Sequence, residues 1–137
     1  MQSILNNTRK ADITFHGNGR IDITSAVSVS LGLAVGDVID ICTNGYGQYF
    51  LVVAHKASST IGRHQAKVYA TKKGKRHNRN LRAYSVRLCR AMMRLHGDGS
   101  RDVAFAVSEP LPNDTYGLVL PIITKLNLYK DDKGDKL

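Results

Sequence analysis

The stretch Gly19–Ile41, GRIDITSAVSVSLGLAVGDVIDI, decides how the chain folds. It opens on Arg20-Ile-Asp-Ile23, where apolar and polar residues alternate with the period of a half-buried strand. Thr24 or Ser25 offers a hydroxyl to start a short helix through Leu31, and Gly32 is placed to end that helix in the left-handed conformation. Val35-Gly-Asp-Val38 then turns the chain into a further strand, Val38-Ile-Asp-Ile-Cys42.

Working outward, Asp12-Ile-Thr-Phe15 precedes this stretch and is joined to Arg20–Ile23 by His16-Gly-Asn-Gly19. Asn-Gly tolerates positive φ at both positions, so the two segments are expected to pair as a β-hairpin. On the other side, Asn44-Gly-Tyr-Gly47 leads into Gln48–Ala54, which predicts a second hairpin. Residues 10–54 thus read as a small barrel-like unit of two hairpins and one short helix.

In the order of these elements, the Gly-Arg strand, the helix ending Leu31-Gly-Leu33, the Gly36-Asp37 turn and the closing strand, the stretch resembles the AbrB/SpoVT family of swapped-hairpin transcription regulators. The resemblance covers about a third of the chain. It implies an intertwined homodimer, in which hairpins from two chains make one barrel-like sheet, and DNA binding by basic side chains on one face. Members of that family usually carry Pro at the helix start, where this chain has Thr24, and Arg or Lys within the helix, where it has Ser25, Ala26, Val27, Ser28, Val29 and Ser30. Such a helix offers little to phosphates. Of the family's contacts only Arg20 carries over, with Arg9 and Lys10 nearby.

Charge beyond this unit is segregated. Twenty Lys and Arg stand against eleven Asp and Glu, a formal charge of +9. Carboxylates stop at Asp40 and resume at Asp98, and between them lie Lys56, Arg63, Lys67, Lys72, Lys73, Lys75, Arg76, Arg79, Arg82, Arg87, Arg90 and Arg94. Like charges so concentrated destabilise a compact state unless a polyanion screens them or flanking carboxylates fold back, and the balance points to nucleic acid, DNA before RNA. Thr71–Asn80 contains no apolar residue and is expected to be an exposed arm.

After the arm, Leu81, Tyr84, Leu88, Ala91, Met92 and Leu95 recur at helical spacing, which predicts a basic amphipathic helix over about 80–96, capped by Asn78 or Asn80 and stopped at Gly97. Arg79, Arg82, Arg87, Arg90 and Arg94 fall on its opposite arc, and Arg is the cation whose planar fork suits phosphate. Tyr69 and Tyr84 are the aromatics within reach of a stacked base, although a single Tyr is more often half-buried packing. Asp102–Val107 and Tyr116–Thr124 read as a C-terminal antiparallel strand pair, with Pro121 arguing that the second strand ends there or lies at an edge.

The expected fold is therefore α+β in a single domain, 1–137. It comprises the swapped-hairpin-like unit (10–54), a region of basic helix and C-terminal strands (56–128), and an expected flexible tail (129–137). His16, His55, His64, His77 and His96 are scattered without a catalytic or metal-binding spacing, and Cys42 and Cys89 lack a CxxC partner, so neither an enzyme nor a metal or cofactor site is signalled. The N-terminus has no signal-peptide core and no apolar run is long enough to span a bilayer, so a cytoplasmic location, or one inside a virus particle, is expected rather than a membrane. Two roles fit: an AbrB-like dimeric DNA-binding regulator, or a structural subunit of a larger nucleoprotein assembly that touches nucleic acid or acidic partner subunits. The expected contact residues are Arg20, Lys72, Lys73, Lys75, Arg76, Arg79, Arg82, Arg87, Arg90 and Arg94.

Overall fold

The computed structural model describes residues 11–54, 66–71, 80–97 and 101–126. Strands β1 (Ile13–His16) and β2 (Arg20–Ile23) form the first hairpin, pairing Ile13 with Ile23 and Phe15 with Ile21. These four side chains are fully buried, while Thr14, His16, Arg20 and Asp22 point outward, as the alternation requires. Helix α1 (Ser25–Leu31) buries Val27, Ser28 and Leu31 and ends at Gly32, whose φ of 64° lets its amide reach back to the Ser28 and Val29 carbonyls. Thr24 precedes the helix without capping it through its side chain; its hydroxyl donates to the Asp12 carbonyl instead. Strands β3 (Val38–Thr43) and β4 (Tyr49–Ala54) make the second hairpin.

The rest of the chain supplies β5 (Ala66–Lys67), β6 (Tyr69–Ala70), β7 (Leu81–Tyr84), α2 (Val86–His96), β8 (Asp102–Val107), β9 (Leu111–Asn113) and β10 (Gly117–Leu126). The basic helix is thus shorter than the 80–96 expected from sequence. Leu81–Tyr84 is a strand whose partners are β2 and β6, with Leu81 and Ala83 turned inward and Arg82 and Tyr84 outward. Leu81 and Tyr84, three apart, imitate a helical stripe; the true period is two, and its second inward residue is only an alanine. The cap is Ser85, whose side chain accepts from the Leu88 amide, rather than Asn80, which accepts from the Ser25 amide at 2.7 Å. Arg82 is accordingly not a helical residue. Cys89 and Met92 are the buried positions of α2, while Leu95 is exposed.

The C-terminal pair is present as β8 and β10, but β10 neither ends at Pro121 nor lies at an edge: it runs through Pro121 between β4 and β8. The Pro121 carbonyl accepts from the Ser108 amide, so its missing donor faces the end of β8, where no ladder bond is lost.

All the described strands belong to one sheet in the order β5-β3-β4-β10-β8-β1-β2-β7-β6, with β9 beside β10. Only Val68 separates β5 from β6, so the two ends meet and the sheet is a near-closed barrel. Its core is filled by Ile13, Phe15, Ile21, Ile23, Val27, Ile39, Leu51, Phe105 and Leu120, with Phe15 and Phe105 edge to face at 6.0 Å between centroids.

The strand order is unchanged when the two halves of the chain are exchanged, β1 for β5/β6, β2 for β7, β3 for β8 and β4 for β10. Each half places a hydroxyl residue, Thr24 or Ser85, between its second strand and its helix. The halves interlock: the first hairpin pairs with β8 and β7, and the second with β5 and β10. Residues 10–54 therefore close no sheet of their own.

Candidate nucleic-acid interface

Helix α2 carries Arg87, Arg90 and Arg94 at i, i+3 and i+7, a spacing that sets them on one stripe, and all three are exposed. The opposite side is held down by Cys89 and Met92, so the arginine stripe is fixed by the core rather than by surface contacts. With Leu88, Ala91 and Asp40 of β3, the three arginines line an open cleft of about 400 Å³. No ion pair to them is formed among the described residues. Burial pushes the Asp40 carboxyl above its ordinary value, and a hydrogen bond from the Ile41 amide only partly opposes this.

Arg20 and Arg82 behave differently. Asp22 lies between them on the outer face of the barrel, 2.9 Å from the Arg82 Nε and 3.3 Å from an Arg20 terminal nitrogen. The same carboxylate bonds His16 Nε2 at 2.7 Å, and His16 Nδ1 bonds Asp102 at 2.9 Å. Burial raises the Asp22 carboxyl, but hydrogen bonds from His16 and Arg82 and the charges of Arg20 and His16 outweigh it and hold the group below the ordinary carboxylate range. For this pair of cations the flanking carboxylates do fold back.

Of the other expected contacts, Lys72, Lys73, Lys75, Arg76 and Arg79 lie outside the described residues, as does the 129–137 tail. The structure brings together Arg87, Arg90 and Arg94 as one group and Arg20 with Arg82 as another, on the helix and the sheet respectively.

Tyr69 and Tyr84, for which the sequence weighs base stacking against the commoner half-buried packing, are exposed, with relative accessibilities of 42% and 56%. Each is directly opposite an arginine, Tyr69 across from Arg82 and Tyr84 across from Arg20. The signal for this lay in the period-two alternation of Leu81–Tyr84, which the helical reading masked. Neither cysteine offers a thiolate at neutral pH: burial pushes Cys89 up to about 11 and raises Cys42 as well. No described helix is long and apolar enough to cross a membrane. Comparison with known protein families, with characterised proteins and with solved structures finds no match for the chain.

Proposed function

We propose that this chain is a non-enzymatic nucleic-acid-binding protein that docks on a phosphate backbone through α2. The observation that carries this reading is the stripe of Arg87, Arg90 and Arg94, exposed, core-anchored and unpaired by any described carboxylate. Three guanidinium forks over two turns of helix meet successive backbone phosphates with sequence-independent affinity. Lys72, Lys73, Lys75 and Arg76 add to the same charge. Arg20 and Arg82, already held by Asp22, contribute less than their charge suggests. Binding to duplex DNA titrated with salt tests this. Replacing Arg87, Arg90 and Arg94 with Ser should lower the magnitude of the log-log salt slope by about 3 without unfolding the protein. An unchanged slope in that variant overturns the α2 reading. If replacing Lys72, Lys73, Lys75 and Arg76 also changes nothing, nucleic acid is not the partner.

The family resemblance supports a DNA-binding regulator, and the alternation of halves in the strand order supports a particular version of it. We infer that the two-chain arrangement which the resemblance implies is here supplied by two halves of one chain, so that a homodimer is not needed to close the barrel. A role as a subunit of a nucleoprotein assembly is favoured by a separate feature. The hairpins β3–β4 and β9–β10 flank a mostly apolar groove of about 540 Å³ that includes Phe50, Val52, Leu111, Pro112 and Val119.

A further inference from the structure

We propose that the outer face of β2, β7 and β6 is a stacking platform for the unpaired bases of a single-stranded nucleic acid, built from Tyr69 and Tyr84 and bordered by Arg20 and Arg82. This rests on the chain being a nucleic-acid-binding protein, but it assigns a second site of a different kind from the helical stripe.

The platform follows from register. Tyr84 pairs directly with Arg20, and Arg82 sits directly between Tyr69 on one side and Asp22 on the other. Tyr69 and Tyr84 are diagonal neighbours, a relation that sets residues about 7–8 Å apart, a distance that adjacent bases of one strand can span. Tyr84 is seated by the backbone: a Cβ on Gly19 would come within 3.1 Å of its ring and 2.9 Å of Val86 Cγ2, so only glycine lets the tyrosine lie there. One side of the ring thus rests on Gly19 while more than half of the residue stays open to solvent. Arg82 is held in place by Asp22, and a fixed guanidinium plane is itself a surface for a base.

The surroundings select the occupant. Outward neighbours are Asp22 on β2 and Thr14 and His16 on the adjoining β1, all polar, so the tyrosines are not the centre of a continuous apolar patch such as a protein hot spot requires. Aromatic rings standing among arginines match the combination by which single strands are held, base on ring and phosphate on cation. Exposed cations flank the two tyrosines along the chain, Lys67 two residues before Tyr69 and Arg87 three after Tyr84, and neither is ion-paired among the described residues. They provide the charge that the Asp22-bound arginines cannot.

The test compares oligo-dT and oligo-U of about 12 nucleotides with an abasic strand of the same length and charge, by fluorescence anisotropy. The wild-type protein should bind a base-bearing strand at least about tenfold more tightly than the abasic one. Tyr69→Ala with Tyr84→Ala should erase that difference and leave abasic binding unchanged, whereas Phe at both positions should preserve it. Preference for oligo-dT or for oligo-U identifies which nucleic acid is held. Equal binding of base-bearing and abasic strands by the wild type, or loss of the difference in the Phe variant, overturns the platform while leaving the α2 stripe intact. If no single strand binds, the platform falls, and if duplex DNA does not bind either while an acidic polypeptide does, both readings fall.

Discussion

Asp22 and Arg82 face each other across the β2–β7 pair, and the carboxylate accepts the guanidinium Nε–H at 2.9 Å. Because Asp22 also takes Arg20 and His16, one carboxylate organises the outer surface of three neighbouring strands. Its removal therefore separates stability from charge. Asp22→Asn should cost about 1 kcal/mol of folding stability, given the partial exposure of the pair, and should strengthen the charge-driven binding of duplex DNA by releasing two guanidinium groups. Chemical denaturation and binding titrations on the same variant check both signs. Weakened binding would show that Asp22 positions the arginines for contact.

The same group fixes an acid limit. With its folded pKa held below the ordinary 3.8, the stability it contributes is fully present above that value and is lost as pH falls through the lower, folded one. Urea unfolding of the wild type should weaken below about pH 4, and in Asp22→Asn that part of the decline should be absent.

Asp40 has the opposite sign. Burial raises its pKa, so the ionised form at neutral pH opposes folding, and the penalty is relieved as pH falls through the raised value. Asp40→Asn keeps an oxygen for the Ile41 amide and removes a negative charge from the arginine cleft. The variant should be at least as stable as wild type near pH 7 and bind duplex DNA roughly two- to tenfold more tightly at low salt, with the gain shrinking as salt rises.

If one chain supplies both halves of the barrel, dilution should not unfold it. Far-UV circular dichroism and fluorescence should report the same unfolding midpoint at micromolar and nanomolar concentration. A midpoint that falls on dilution would restore an obligate homodimer.

The first hairpin, the short helix and its Gly32 stop, and the second hairpin were legible because their signals are local: strict alternation, Asn18-Gly19, and a glycine at the end of an apolar stripe. What escaped depended on partners distant in sequence. Leu81–Tyr84 has the spacing of a helix over four residues and becomes a strand only because β2 offers it a ladder some sixty residues upstream, as the Arg82–Asp22 separation of 60 records. Pro121 reads as a strand end until it is known that its nitrogen faces the finished end of β8. The arginines were identified as a group from charge alone, yet which of them are engaged by carboxylates required the fold. Arg82 and Arg87 look alike in sequence; only Arg82 meets Asp22.

The interlocking of the halves sets a condition on synthesis. Asp12 closes its contacts with Phe105 and Val107, the latter through a hydrogen bond spanning 95 residues. While the chain is still being made, the first two hairpins have no edge partners, and their exposed ladders remain open to any other strand. A ribosome pausing before β8 has emerged would thus hold out an unfinished sheet, making the interval between the two halves the period of greatest danger from aggregation. Crowding such nascent chains on one message should raise that danger, and a slower passage through the second half should raise it further.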